Sequence, residues 1–326
     1  MRYFKKIIVT GAAGFVGSML VPLLLDEGYN VIAIDDLSKG RRGNLPEDCE
    51  KFTFIQGDLR NRIIALDKIK GSDWVIHLAS QAYGVAYCSQ SHSSTFLLNS
   101  QINANVLEAV LENSIPGLLV MSSSCVYSDE VAGNIEESFG FYGEPESVNW
   151  GYGWAKRMLE IAVLAAIKDK KCEGIIVRPV NIYGDNYDWF GQYSHVIPSI
   201  VKRIFDGDDP LIIWGDGTQS RSFIHVKDVV RVILELSKRA PNGTTVNLGD
   251  EQAVSINEIV LKIMKIFDLS FSVKHDLTKP VGRKIKSVSS QLFKRILPDF
   301  EPQIQLNEGL KEMKKWYDRK KSLGIF

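Results

Sequence analysis

Tyr152 and Lys156, one helical turn apart, carry the first hint of chemistry in this chain. In Tyr152-Gly153-Trp154-Ala155-Lys156 the i and i+4 side chains share one face of a helix. An ammonium held there lowers the pKa of a phenol through its charge. A tyrosinate near neutrality can take the proton of a substrate hydroxyl. That is half of an alcohol oxidation. The other half is loss of a hydride, which needs an acceptor.

A site for such an acceptor is written near the N-terminus. Thr10-Gly11-Ala12-Ala13-Gly14-Phe15-Val16-Gly17 follows the apolar run Ile7-Ile8-Val9 and opens an amphipathic stretch. Glycines allow a tight turn and let the backbone approach a pyrophosphate, and a helix N-terminus favours its negative charge. Gly11, Gly14, Phe15, Val16 and Gly17 are therefore cofactor-binding candidates. Asp35 ends the next apolar run, 18 residues past Gly17. A carboxylate there binds the adenosine ribose hydroxyls and repels a 2′-phosphate, which argues for NAD over NADP. Arg41 and Arg42 lie close enough in sequence to blur that preference. Pro22 removes one hydrogen bond from the first helix and predicts a kink there.

These groups need a scaffold. Residues 6–10, 31–35, 52–56, 74–78, 118–122 and 174–178 read as strands, several of them continuously apolar, as strands buried on both faces are. Helical patterns lie between them, notably 14–27 and 95–112. The alternation predicts an α/β fold: a doubly wound parallel (Rossmann) sheet with the ligand at the carboxyl ends of its strands. Beyond about residue 182 the texture changes, and 183–193 and 206–217 read as loops. A helix at 226–238 and a strand at 245–248 return to the main sheet. We expect residues 1–180 with about 222–250 to form the dinucleotide-binding domain. About 181–221 with 251–326 then form a smaller mixed α/β lobe.

Composition narrows the function classes. The 326 residues hold 39 Lys plus Arg and 39 Asp plus Glu, so the formal net charge is zero. No global positive field draws nucleic acid or an anionic membrane. No apolar run approaches the roughly 20 residues of a membrane span. Cys49, Cys88, Cys125 and Cys172 form no CxxC pair, so no metal site is expected, and a reducing, cytoplasmic setting suits them. The basic-then-apolar start faintly imitates a signal peptide, but its glycines belong to the turn.

The GxxGxxG spacing, Asp35, Met121-Ser122-Ser123-Ser124-Cys125-Val126-Tyr127 and the YxxxK pair fall in one order. Together they resemble the extended short-chain dehydrogenase/reductases, the NAD-dependent nucleotide-sugar epimerase/dehydratase family. The resemblance spans nearly the whole chain and implies further roles. Ser123 falls on the catalytic serine, hydrogen-bonded to the reacting oxygen. Asp58 and Leu59 meet the adenine, Leu78 and Ala79 lie along the cofactor, and Asn99 stands near the active-site strand. His77, just before them, reads better as a satisfied structural histidine. Asn181, in a segment resembling RPxNxYGP with Asp185 for the proline, contacts the substrate phosphate. Arg221, in the matching sugar-nucleotide segment, and Arg283 clamp the diphosphate. Residues 284–292 lack the family's usual acidic residue.

The resemblance leaves the net reaction open. Ser124-Cys125 stands where the dehydratases of the family carry Asp-Glu, which disfavours dehydration. Cys125 and His195 match positions where cysteine and histidine exchange protons beside a 4-ketone in GDP-fucose synthase-like members; packing and substrate binding are the simpler roles for both. Three outcomes of C4 oxidation stand: epimerisation at C4, epimerisation at C3 or C5 through Cys125 and His195, and net 4-dehydrogenation. The resemblance implies a nucleotide-diphosphate sugar, GDP- or UDP-linked, as substrate. An NAD-binding protein without turnover would typically have lost Tyr152 or Lys156. Residues 95–112 and 158–167 are apolar on more than one face. In the family the equivalent helices build a four-helix bundle across a homodimer, which implies the same here.

Overall fold

The computed structural model describes residues 1–187 and 194–324. The first half alternates as expected: β1 (Lys6–Thr10), α1 (Phe15–Asp26), β2 (Asn30–Asp35), β3 (Phe52–Gln56), α2 (Arg62–Lys68), β4 (Trp74–His77), α3 (Val85–Cys88), α4 (His92–Glu112) and β5 (Gly117–Met121). Then come β6 (Asn134–Ile135), α5 (Trp150–Lys168), β7 (Glu173–Pro179), β8 (Asn181–Tyr183), α6 (Val196–Asp206) and β9 (Leu211–Trp214). The remainder is β10 (Ser220–Arg221), β11 (Phe223–His225), α7 (Val226–Arg239), β12 (Thr245–Leu248), β13 (Val254–Ser255), α8 (Ile256–Phe267), β14 (Val273–Asp276), β15 (Ile285–Val288), α9 (Gln291–Ile296) and α10 (Leu306–Ser322).

Seven strands form one parallel sheet in the order β12-β7-β5-β4-β1-β2-β3. Strand order reverses between β1 and β4, which opens a crevice at their carboxyl ends. Both faces of the sheet are covered. Ile7 and Val9 enter one core beneath α1 and α7, while Ile8 enters a second core beneath α2, α4 and α5. This two-sided burial explains why these strands read as unbroken apolar runs. The strand at 245–248 does return to the sheet, as its edge.

One expectation changes. Residues 206–217 are not all loop, because Leu211–Trp214 is a strand paired with β14. Gly, Asp and Pro flank that short apolar run and hide it, yet Leu211 and Ile213 are buried in a third core with α6, α8 and α10. The loop expected at 183–193 lies partly at residues 188–193, outside the described residues. Pro22 sits inside α1 without ending it. A four-stranded sheet, β13-β10-β15-β6, closes over the crevice side, with β10 and β15 parallel and Arg221 in register with Lys286. Among the described residues no helix is long and apolar enough to cross a membrane.

Candidate active site

The glycine turn lies at the carboxyl end of β1. Gly11 has a φ of +68°, and a Cβ there would stand 2.6 Å from the Ala79 nitrogen. A Cβ on Gly17 would stand 2.3 Å from the Gly11 carbonyl oxygen. Both positions therefore exclude a side chain. At Gly14 the added carbon would meet only the Gly11 carbonyl, at 3.2 Å, so the turn is open on its outer side. No side chain caps the start of α1. Its first N–H groups and its dipole thus border the adjoining cavity as a cradle for a diphosphate. Asp35 is buried at the end of β2, accepting hydrogen bonds from the Leu37 N–H at 2.8 Å and the Ala13 N–H at 3.0 Å. Burial pushes its carboxyl up from the usual range, and these two donors oppose the rise. The turn, helix start and carboxylate fit a dinucleotide.

One cavity of about 340 Å³ runs from this cradle to the YxxxK helix. Gly11, Gly14, Phe15, Val16, Gly17 and Asp35 line one end, with Asp58 and Leu59 beside them and Leu78 and Ala79 along the wall. Ser123, Cys125, Tyr152, Lys156 and His195 line the other end with Asn181 and Arg221. The chain thus brings into one space nearly all the residues singled out by spacing and resemblance. Asn99 and Arg283 do not line it. Asn99 is buried behind the wall, where its oxygen accepts from the Ser80 hydroxyl and the Gln81 N–H, both at 2.8 Å. Its place is to hold that loop. Arg283 is half-buried, close enough to Arg221 to depress its pKa, although burial is the larger cause. His77 is structural: its ring nitrogens meet Thr10 Oγ1 at 2.7 Å and Asn103 Oδ1 at 3.1 Å.

Tyr152 lines the cavity with Ser80 and Ser123. Burial pushes it well above its ordinary pKa, the charges of Cys125 and Cys88 add to the rise, and the Ser80 and Ser123 hydroxyls lower it only slightly, so it rests as a phenol. Lys156 stands 5.5 Å from the centre of the Tyr152 ring and donates to the Met121 carbonyl at 2.8 Å. Burial lowers its ammonium to about 8. The tyrosinate near neutrality expected from the spacing is therefore absent at rest, because desolvation outweighs the lysine's charge. Ser123 Oγ also accepts from the Cys125 N–H at 3.1 Å, which fixes the serine turn after β5.

Arg157 ties the helix to that turn. Its guanidinium donates to the carbonyls of Val126 (2.9 Å), Tyr142 (2.9 Å) and Gly143 (2.6 Å). His195 is pushed down to about 3 by burial and by Lys39 and Lys286, so its imidazole is neutral. Asn181 donates to the Ser222 carbonyl at 3.1 Å, and Arg221 to those of Ser220 (2.9 Å) and Val281 (2.8 Å).

Two charged groups of the site escaped sequence reasoning. Lys286, on β15, donates to Glu146 Oε2 at 2.7 Å and to Cys125 Sγ at 3.2 Å. Glu146 also accepts from Asn149 Nδ2 at 2.8 Å. Burial raises the Glu146 pKa, but Lys286 and Asn149 overcome it and bring the group down to about 2. All three side chains line the cavity. The one local signal was the absence of an acidic residue in 284–292, which does not reveal a lysine facing a thiol 161 positions away.

Comparison with known proteins settles the family. Residues 7–249 match the model of the NAD dependent epimerase/dehydratase family. The chain belongs to that family. A GDP-mannose 3,5-epimerase of Arabidopsis thaliana is 30% identical over 94% of this chain and 80% of its own. GDP-L-fucose synthase 1 of the same plant is 28% identical over 96% of this chain and 93% of its own. Among solved structures, a UDP-N-acetylglucosamine 4-epimerase from Methanobrevibacter ruminantium, in complex with UDP-N-acetylmuramic acid, superposes with a TM-score of 0.87 at 27% identity, covering 98% of this chain and all of that one. This family member is an enzyme of the nucleotide-sugar epimerase/dehydratase group with an extended short-chain dehydrogenase/reductase fold, and its cofactor is NAD.

Proposed function

We propose that this enzyme is a nucleotide-sugar epimerase that acts by oxidising the sugar C4 hydroxyl to a 4-ketone. The observation that carries this reading is the meeting of Tyr152, Lys156 and Ser123 at the end of the cavity opposite the glycine cradle. NAD, when bound, supplies the hydride acceptor. Tyr152 takes the C4 hydroxyl proton, Ser123 bonds the reacting oxygen, and Lys156 offsets the charge on the phenolate. Residues 1–180 with about 222–250 hold the cofactor. About 181–221 with 251–326 hold the nucleotide sugar, with Asn181 and Arg221 as its diphosphate contacts.

A second reading, epimerisation at C3 or C5, is favoured by one feature: the Cys125 thiol faces the cavity in contact with an ammonium. Dehydration has no such support, since the Glu146 carboxylate is locked to Lys286. The test adds UDP- and GDP-hexoses singly to the holoenzyme and follows absorbance near about 340 nm, a property of the reduced cofactor. A transient rise with a new sugar isomer in the NMR spectrum is expected. A rise that persists with release of a ketosugar replaces the epimerase by a dehydrogenase. No rise with any sugar overturns the reading.

The enzyme is also proposed to be a homodimer. Leu97 on α4 is 64% exposed, and Met158 and Ile161 on α5 are 44% and 55% exposed. Paired with a second copy, the two helices would form a four-helix bundle that removes these groups from water. Light scattering at micromolar concentration should report twice the 36.6 kDa chain mass. Ile161→Glu should give monomers, because an unpaired carboxylate in such an interface is costly. A monomeric wild type sinks the proposal.

A further inference from the structure

Lys286 and Glu146 form an ion pair whose side chains are 8% and 4% exposed. Burying such a pair away from water gains little stability by itself, so its retention in the wall of a cavity points to use. Its surroundings narrow the use. The Lys286 ammonium has three N–H groups, and among the described residues its acceptors are Glu146 Oε2 and Cys125 Sγ. In-register pairing of β10 and β15 puts Arg221 beside it. Two cations thus share one buried carboxylate, and the cluster favours one further negative charge.

The atom in place to carry that charge is Cys125 Sγ. The thiol lines the substrate end of the cavity, and the backbone also ties it to the pair, since the Glu146 N–H donates to the Cys125 carbonyl at 3.3 Å. Other groups act on it too. Arg221 faces it from β10, Tyr152 and Lys156 from α5, and Cys88 from α3. Lys286 is the cation in hydrogen-bond contact with it.

We propose that Lys286, held by Glu146, is the positioning residue that lets Cys125 exchange protons with a ring carbon beside a 4-ketone. This rests on the C4 oxidation proposed above, which supplies the ketone. The step is balanced within the site. The C–H bond at C3 or C5 breaks, its proton passes to the Cys125 thiolate, and the electron pair is delocalised onto the ketone oxygen as an enolate. The thiol then returns a proton to the carbon, and between these events sulfur exchanges its proton with solvent. No electrons are gained or lost overall. Lys286 balances the charge whenever sulfur is anionic, and Glu146 holds its ammonium in place against the thiol.

The direct test needs no substrate. The NAD-loaded enzyme is alkylated with iodoacetamide from about pH 6 to about pH 10, and the Cys125 peptide is followed by mass spectrometry. Lys286→Met should move the midpoint of Cys125 alkylation up by about one unit or more, because the cation that favours the thiolate is gone. Lys286→Arg should keep it near the wild-type value. Glu146→Gln should move it down, which keeps the test alive if the methionine variant fails to fold. Turnover supplies a second readout. In D₂O, deuterium wash-in at C3 or C5 should fall in Lys286→Met by about tenfold more than C4 oxidation does. An unchanged alkylation midpoint in both Lys286→Met and Glu146→Gln overturns the proposal. So does a loss confined to nucleoside-diphosphate binding, which would make Lys286 a phosphate contact. If no sugar is oxidised by the wild type, the C4 reading fails while the alkylation midpoints still decide whether Lys286 governs the thiol.

Discussion

Replacing Tyr152 by phenylalanine should lower C4 oxidation by about 1,000-fold, read as the single-turnover absorbance rise of the cofactor. The substitution removes one oxygen and leaves the ring beside Lys156 in place. Folding and cofactor retention should therefore persist, which separates loss of the base from loss of the site. Ser123→Ala should cost less, because the reacting oxygen keeps its proton acceptor. The pH profile carries a second signature. Tyr152 acts as the phenolate, and burial holds its pKa above the ordinary value. The rate must then rise with pH as the phenolate fraction grows. Lys156, lowered by burial to about 8, loses its charge above that pH and with it the support of the phenolate. The profile of kcat/KM should bend near pH 8, and Lys156→Arg should shift the bend upward because a guanidinium stays protonated. A Tyr152→Phe enzyme with more than about a tenth of wild-type activity would remove the tyrosine from the mechanism.

How far the site was legible depends on how local its determinants are. Gly11, Gly17 and Asp35 could be read because a strand, a turn and a helix start lie within 30 consecutive residues and each demands a residue type. The strands could be read because Ile7, Ile8 and Val9 are buried on both faces, leaving no polar face to interrupt the pattern. Carry-over by resemblance placed Ser123, Tyr152, Lys156, Asn181, Arg221 and His195 around one cavity. Asn99 and Arg283 lie outside that lining, and the Asn99 amide is taken up by the loop at Ser80 and Gln81. Lys286 and Glu146 were invisible for a different reason. Their meeting depends on the parallel pairing of β10 with β15, both too short to show a period, and on the turn at Ser147–Asn149, so nothing local encodes it. The protonation state of Tyr152 was also beyond spacing, since burial depends on every element around the residue.

The precision of the site rests on a buried ion pair, and breaking it should have the largest effect on stability. Arg178, on β7, donates to both oxygens of Glu160, at 2.6 and 2.8 Å, and the two side chains are 2% and 0% exposed. Glu160 lies one turn beyond Lys156 on α5 and also accepts from the Ser122 hydroxyl, next to Ser123. Arg178 reaches on to the Tyr127 hydroxyl at 3.0 Å and the Glu137 carbonyl at 2.8 Å, and Tyr127 donates to Asn247 on β12 at 2.5 Å. One network thus locks the catalytic helix, the serine turn and two sheet strands together. Arg178→Met leaves the Glu160 carboxylate buried without its cation, at a cost of about 3–5 kcal/mol. A fall in Tm on the order of 10 °C follows for a chain of this size. The double variant Arg178→Met with Glu160→Leu should recover much of that loss, since it removes both charges and leaves apolar volume behind. Catalysis should not recover with it, because Ser122 loses its acceptor and the α5 helix loses its register against the serine turn. If stability and C4 oxidation returned together, the pair would be packing alone. If the single variant melted like wild type, the clamp itself would be refuted.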